Sequence, residues 1–233
     1  MSSYSFDIGD EGPQVSDASR RMNRMYRRQR HIYDVTRRYY LLGRDRMIAD
    51  LDPAAGASVL EIGCGTGRNL VHAARRYPQA RFFGIDVSTE MLASAMSTIA
   101  RADLAGRIRL AQADAACANP AVSFAVAGFD AVMISYSLSM IPEWRHVLGE
   151  AVGLLKPGGH LHVVDFGDLE RLGAIRAPLL RWLALFGVMP RNELEEELRA
   201  LALASGAGLS FERPLRGYTQ YAVMILPEGR RTP

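Results

Sequence analysis

The segment Val59-Leu-Glu-Ile-Gly-Cys-Gly-Thr-Gly67 decides the fold of this chain. It begins with a short apolar run, broken by one acid, of the kind that forms a buried parallel strand. Three glycines at alternate positions follow, and they allow the backbone to turn tightly and to approach a ligand closely. Residues 68–76 then carry apolar side chains at helical spacing, and Pro78 ends the helix. A strand, a glycine turn and a helix in this order predict a nucleotide-binding loop at the carboxyl end of a strand.

The spacing of the glycines indicates which nucleotide the loop binds. A dinucleotide fingerprint, G-x-G-x-x-G, requires a third glycine at position 68, where this chain has Arg68. Two further apolar runs end in acids, at Asp86 and Asp114. Asp86 follows Gly67 by 19 residues, which places a carboxylate at the tip of the second strand, within reach of both ribose hydroxyls. The pattern therefore disfavours NAD.

The motif Glu61-x-Gly63-x-Gly65-x-Gly67, with Asp86 and Asp114 after it, resembles the cofactor motifs of the Rossmann-like, class I S-adenosylmethionine-dependent methyltransferases. The resemblance implies S-adenosylmethionine as the cofactor and no metal. In that family, an acid at the position of Asp114 accepts a hydrogen bond from the adenine amino group. The resemblance implies cofactor-binding roles for Glu61, Gly63, Cys64, Gly65, Asp86, Val87, Met91, Asp114, Ala115 and Ser135.

The predicted fold class is α/β, a Rossmann-like methyltransferase fold. Its seven-stranded, mostly parallel sheet ends in an antiparallel C-terminal hairpin, and a helical cap precedes it. We predict a disordered tail at 1–17, the helical N-terminal cap at 18–50 and the Rossmann-like domain at 51–233, with an insert at 174–204. Lys156-Pro-Gly-Gly159 is predicted to be the turn into the fifth strand, and Asn192 the cap of a helix at 192–204. The hairpin is predicted at 209–213 and 218–226.

Composition and charge limit the classes of protein. A chain of 233 residues with 48% hydrophobic content can bury one sizeable core. Two cysteines give no disulfide framework, and no apolar run is long enough to span a bilayer, so we predict a cytoplasmic protein. Between Arg20 and Arg46 there are ten arginines against two acids. This charge fits a solvated helical face, an anionic membrane surface or a nucleic-acid backbone.

The absence of several known sequence motifs narrows the classes of possible methyl acceptor. Base-amine methylation in nucleic acids commonly uses an Asn/Asp-Pro-Pro-aromatic turn after the fourth strand, where this chain has Ser135-Tyr136-Ser137. Neither cysteine lies in the Pro-Cys setting of a cytosine-C5 enzyme, and the chain has a single lysine, Lys156. The five histidines show no metal-ligand spacing. These absences favour a small molecule or a lipid as acceptor, and they make a nucleic-acid partner the less favoured prediction.

Three segments, residues 26–45, 135–144 and 162–168, resemble the diacylglycerylhomoserine N-methyltransferases, which make the betaine lipid diacylglyceryl-trimethylhomoserine. The resemblance implies that a lipid headgroup amine is methylated three times. The core motifs are shared with all such methyltransferases, including quinone-biosynthesis relatives. The alternatives are therefore another small molecule or a quinone precursor as acceptor, an RNA methyltransferase, and a non-catalytic protein that binds S-adenosylmethionine.

The expected chemistry is in-line attack of a neutral amine on the sulfonium methyl group, which needs mainly proximity and alignment. We predict Tyr136 as the acceptor wall and Asp165 as the group that holds the amine. Tyr33 is predicted to close over the methionine carboxylate, with Arg30 nearby. The alternatives are that both tyrosines are core or rim aromatics and that Asp165 caps a following turn.

The apolar insert Ala174–Met189 also contains Arg176 and Arg181. This combination is typical of an interfacial helix. With the arginine-rich segment, it predicts a peripheral protein on an anionic membrane surface, at the inner face of the membrane. The alternative is that the insert packs over the sheet.

Overall fold

The computed structural model describes residues 41–229. The predicted tail, most of the predicted cap, and the candidates Arg30 and Tyr33 lie outside the described residues. The strands are β1 (Ser58–Ile62), β2 (Arg81–Asp86), β3 (Ile108–Gln112), β4 (Phe129–Ser135), β5 (Leu155–Phe166), β6 (Gly208–Glu212) and β7 (Thr219–Ile225). The helices are α1 (Arg44–Ala49), α2 (Arg68–Arg76), α3 (Thr89–Arg101), α4 (Pro120–Phe124), α5 (Trp144–Gly153), α6 (Arg176–Leu185) and α7 (Leu194–Ser205). Short helical turns lie at Leu138–Met140, Glu170–Ile175 and Pro214–Gly217.

The seven strands form one sheet in the order β3-β2-β1-β4-β5-β7-β6. The first five strands pair in parallel, and β7 pairs antiparallel with both β5 and β6. This confirms the predicted fold class, including the antiparallel ending. Strand order reverses at β1, which has β2 on one side and β4 on the other, and ligands of such sheets bind at the carboxyl ends of the strands at this point.

The sheet carries a hydrophobic core on each face. On one face, Met47, Ile48 and Leu51 of the α1 region join a cluster with Val164 and Phe166 of β5. On the other face, residues of α5 and α7 pack in a second cluster with the central strands. Both faces are covered, as expected for strands that are apolar along their whole length.

Polar contacts fix α1 against the antiparallel edge of the sheet. Arg46 forms a two-pronged ion pair with Glu212 of β6, with both N–O distances at 2.8 Å. The Tyr221 hydroxyl donates to a carboxylate oxygen of Asp50 at 2.8 Å. The start of the described chain is thereby held over β7, beside the carboxyl ends of the central strands.

Several boundaries differ from those predicted. Strand β5 begins at Leu155, and its pairing passes from Phe129–Leu155 to Ala131–His160, so 156–159 form an irregularity within the strand. A Cβ on Gly159 would lie 2.8 Å from the Lys156 carbonyl oxygen, which explains the glycine there. Helix α7 begins at Leu194, and Glu193, not Asn192, precedes it without a side-chain cap. The insert forms a short helical turn followed by α6, before α7 begins.

Within residues 41–229, no helix is both long enough and apolar enough to cross a membrane.

Candidate functional site

A cavity opens at the carboxyl ends of β1, β2, β3 and β4. It is lined by residues of the glycine turn, by the ends of the neighbouring strands and by the segment after β4: Leu41, Arg44, Glu61, Gly63, Cys64, Gly65, Thr66, Arg68, Asn69, Ile85, Asp86, Val87, Ala113, Asp114, Ala115, Ser135, Tyr136, Ser137, Met140, Ile141, Pro142 and Glu143. Ten of the residues predicted from the sequence are among them: Glu61, Gly63, Cys64, Gly65, Asp86, Val87, Asp114, Ala115, Ser135 and Tyr136.

The glycine turn between β1 and α2 forms one wall of the cavity. Gly63, Gly65 and Gly67 all have positive φ, of 71°, 53° and 72°. At Gly63 the requirement is also steric, because a Cβ would lie 2.6 Å from the Cβ of Ser137. The amides of Gly63 and Cys64 donate to the Ile85 carbonyl at 2.9 Å, which fixes the turn to the end of β2. The turn therefore has little freedom, and its position relative to Asp86 is set by backbone contacts.

Two of the three predicted acids stand at neighbouring strand ends and are oriented by backbone amides. Asp86 accepts from Gly65 N at 2.8 Å through Oδ2, and from Ser88 N at 2.9 Å through Oδ1. Asp114 accepts from Ala116 N at 3.0 Å through Oδ1. Each carboxylate therefore has a defined orientation beside the cavity, which suits a ligand with hydroxyl or amino donors.

The third acid, Glu61, lies in the floor of the cavity and is 1% exposed. Its Oε1 accepts from the Asn69 side-chain nitrogen at 2.7 Å, whereas Oε2 has no hydrogen-bond partner among the described residues. Burial raises the pKa of Glu61 to about 8, although the Asn69 hydrogen bond and the positive charge of Arg44 oppose the shift. A buried carboxylate oxygen without a partner, beside a cavity, is suited to a cationic donor from a ligand.

Tyr136 lies in the cavity wall with its phenol already engaged. Its backbone has φ of 55°, which is rare for a bulky side chain, and its hydroxyl donates to the Leu42 carbonyl at 2.6 Å. The ring packs edge-on against Phe166, with centroids 4.7 Å apart. Burial raises the pKa of the phenol far above its ordinary value. Tyr136 therefore tethers the segment before α1 to the carboxyl end of β4.

Two of the described residues that were predicted for the site lie outside the lining of this cavity. Asp165 does not line the cavity: it is 1% exposed and accepts from Ser139 N at 3.1 Å and Phe166 N at 2.7 Å. Burial raises its pKa to about 6. In this arrangement Asp165 fixes the turn at 138–140, which precedes it in the chain, whereas the predicted alternative was a cap for a following turn. Met91 is buried in α3 and does not line the cavity either.

Several lining residues were missed by sequence reasoning. Arg44 is 8% exposed, and its Nε donates to the Leu41 carbonyl at 3.0 Å. Asn69 is a polar residue on the otherwise apolar face of α2, and this position is the sequence feature that could have identified it as a lining residue. Met140 and Ile141 lie four and five residues after Tyr136, and the turn at 138–140 brings them back to the cavity.

The residues present fit S-adenosylmethionine. Glu61 offers the ammonium group a carboxyl oxygen that has no hydrogen-bond partner among residues 41–229, and Asp86 and Asp114 stand at the next two strand ends for the ribose and the adenine. No cluster of three or more histidine, cysteine or acidic side chains suited to a metal ion occurs in residues 41–229.

The similarity to known proteins includes the part of the chain that contains the glycine turn, Asp86 and Asp114. Residues 59–159 match the family model described as a methyltransferase domain. The ubiquinone/menaquinone biosynthesis C-methyltransferase UbiE of Syntrophotalea carbinolica is 31% identical over 141 residues, which are 58% of this chain and 57% of that protein. The 27-O-demethylrifamycin SV methyltransferase of Amycolatopsis mediterranei is 32% identical over 122 residues, 52% of this chain and 43% of that protein. The chain thus spans about half the length of these curated relatives.

Among solved structures, an O-methyltransferase family protein from Burkholderia thailandensis superposes with a TM-score of 0.69 at 19% identity. The superposition covers 92% of this chain and 64% of that one. At this identity the likeness concerns the fold, which extends well beyond the segment matched by the family model.

Proposed function

We propose that this chain, which has the class I S-adenosylmethionine-dependent methyltransferase fold, transfers a methyl group from that cofactor to an acceptor on a hydrophobic molecule. The observation that carries the proposal is the placement of Glu61, Asp86 and Asp114 along one cavity, at the ends of three adjacent strands. Bound S-adenosylmethionine supplies an electrophilic methyl group. The protein's part is to hold donor and acceptor in line and to exclude water, because positioning alone removes much of the barrier.

The acceptor side of the cavity is largely apolar. Leu41, Met140, Ile141 and Pro142 line it together with the ring of Tyr136, and Glu143 is the acid at its edge. No histidine or lysine lines the cavity within the described part of the chain. An apolar wall with few proton-accepting groups suits an acceptor that is hydrophobic and that needs little help in losing its proton.

A quinone precursor is the first candidate acceptor. The relatives named for ubiquinone and menaquinone biosynthesis match the cofactor-binding half of this chain, and they are C-methyltransferases. A quinone precursor carries an apolar tail, which fits the apolar wall, and an electron-rich ring carbon that can attack the methyl group.

A lipid headgroup amine is the second candidate, as in the diacylglycerylhomoserine N-methyltransferases. Two of the three segments that carry this resemblance, 135–144 and 162–168, lie in the described structure, and the first of them supplies the acceptor wall. A neutral amine needs no strong base, and the apolar side chains of Met140, Ile141 and Pro142 line the cavity where the methyl groups of the quaternary ammonium product would lie.

Incubation with radiolabelled S-adenosylmethionine separates the possibilities. The purified chain is offered a demethylated quinol precursor, diacylglycerylhomoserine or total RNA, and each product is extracted separately. Label in the quinol or in the betaine lipid identifies the acceptor, and label in RNA would replace both candidates. Cofactor binding by calorimetry with no label in any acceptor would instead support a non-catalytic S-adenosylmethionine-binding protein. The Asp86→Ala variant controls for label that reaches an acceptor without the proposed cofactor site.

A further inference from the structure

Helix α6 has one packed face and one exposed apolar face. Leu183 is 1% exposed, and the rings of Trp182 and Phe186 pack against the core with their centroids 4.9 Å apart. On the exposed face and its flanks, Ile175 is 60% exposed, Leu185 76% and Met189 54%. Exposed apolar side chains in one short segment are unfavourable in water and indicate a surface that contacts another protein or a membrane.

The charge of the same segment is of one sign. Residues 171–192 contain four arginines and no acid. Arg181 is exposed on α6, and the Arg176 Nε donates to the Asp168 carbonyl at 3.1 Å at the start of the helix. An apolar face with a basic residue on it complements an anionic bilayer, where acyl chains take the apolar side chains and headgroups take the exposed Arg181.

This segment is bonded to the acceptor wall. Met189 N donates to the Ser139 carbonyl at 2.8 Å. The Arg191 guanidinium donates to the carbonyls of Leu138 at 3.0 Å and Ile141 at 2.7 Å. Because Ile141 and its neighbour Met140 line the cavity, these hydrogen bonds connect the segment after α6 to the proposed acceptor wall.

We propose that α6 and its flanks insert shallowly into an anionic lipid bilayer, and that the methyl acceptor passes from the bilayer to the cavity beside this helix. The second part rests on the proposed function, and the first does not. The occupant of the exposed face is the bilayer surface. The depth is that of an interfacial helix, with Ile175, Leu185 and Met189 among the acyl chains.

Vesicle flotation of the full chain tests the insertion. Vesicles of phosphatidylcholine with phosphatidylglycerol are compared with phosphatidylcholine alone, at low and at high salt. We expect flotation with the anionic vesicles, weakened by salt. Leu185→Glu is expected to reduce partitioning about tenfold or more, because a leucine loses its burial and a negative charge faces the headgroups.

The matched control is Leu203→Glu. Leu203 lies on α7 and is 87% exposed. The substitution makes the same chemical change on a different helix. Its flotation is expected to equal that of the unaltered chain. If both variants lose flotation equally, the effect is due to net charge and the proposal is overturned. Absence of flotation in the unaltered chain would also overturn it.

Tryptophan fluorescence locates the contact. The chain has two tryptophans, and Trp144 is 3% exposed in the core. Trp182 is partly exposed on the inserting helix, so lipids with brominated acyl chains are expected to quench it in part, and the quenching should disappear in Trp182→Phe. Flotation without this quenching would place the membrane contact elsewhere on the chain.

Two further measurements keep the proposals separate. If Leu185→Glu changes the mass in solution but not flotation, the face binds a second copy of the chain and the proposal fails. Methyl transfer to detergent-dispersed acceptor is expected to survive in Leu185→Glu, while transfer to acceptor in vesicles falls. A chain that floats and is quenched but methylates nothing contradicts the proposed function and leaves the docking surface standing.

Discussion

At the scale of single residues, Asp86 is the clearest test of the cofactor site. It already accepts two backbone amides, and its carboxylate faces the cavity. Asp86→Ala removes the proposed acceptor for the ribose hydroxyls, so we expect S-adenosylmethionine affinity by calorimetry to fall roughly a hundredfold, since hydrogen bonds to a charged group are strong. Glu150→Ala, an exposed acid on α5, is the control. Near-normal affinity in Asp86→Ala would remove this residue from the site.

Substitution of Tyr136 tests whether its hydroxyl only tethers the segment before α1 or also takes part in the reaction. Tyr136→Phe keeps the ring against Phe166 but removes the donor to the Leu42 carbonyl. We expect a loss of about 1 kcal/mol in the free energy of unfolding, measured by denaturant titration. Cofactor affinity should weaken modestly, because Leu41 and Arg44 follow the tether into the cavity wall. A fall in kcat of a hundredfold or more at unchanged stability would show instead that the phenol takes part in the reaction.

At the scale of elements, local sequence was sufficient for some and not for others. Strand β1 and helix α2 match the prediction closely, because an apolar run, three glycines and a proline are all within one short segment. The start of β5 was missed because its irregularity depends on pairing with β4, which is distant in sequence. The start of α7 was missed because Asn192 has good capping chemistry but the helix begins two residues later, after Glu193.

Asp165 gives a prediction at this scale. Its carboxylate joins the end of β5 to the turn at 138–140, and Asp165→Ala leaves the Ser139 amide without that acceptor. We expect a destabilisation of about 2 kcal/mol, from the cost of an unpaired buried group. We also expect a higher KM for the acceptor with little change in cofactor affinity, because the turn supports Met140 and not the glycine loop. An unchanged KM and a lost kcat would restore Asp165 as a group that acts on the acceptor.

At the scale of the whole molecule, the cavity residues at the strand ends were predictable from local sequence, and those brought in by other segments were not. Glu61, Asp86 and Asp114 follow strands that the apolar pattern identifies, and parallel strands bring their carboxyl ends to one edge. Arg44 and Ile141 reach the cavity through long-range packing and through a short turn that no periodic pattern marks. Asp165 ends a predicted strand, yet alternation along the strand directs it into the core beside Ser139.

Buried Glu61 predicts how the stability of the whole fold depends on pH. Its pKa in the folded protein is about 8, above the value of 4.5 for an exposed glutamate. The folded state therefore holds more protons than the unfolded state between these values, so stability falls as pH rises through this window. Above pH 7, where Asp165 with its folded pKa of about 6 and His162 with its folded pKa of about 4 contribute little, we expect a decline of about 1 kcal/mol per pH unit. Glu61→Gln should flatten the profile measured by denaturant titration from pH 7 to 8.

The same carboxyl group predicts a proton linked to cofactor binding. Near neutral pH, burial keeps Glu61 protonated in the free protein, and the ammonium of S-adenosylmethionine beside Oε2 would lower its pKa and ionise it. Calorimetry at mildly acidic pH, in buffers of different ionisation enthalpy, should therefore show release of close to one proton on binding. 5′-Methylthioadenosine, which lacks the amino-acid part, should bind without that release. A binding enthalpy that does not depend on the buffer would place the ammonium away from Glu61 and leave the carboxyl group with a purely structural role.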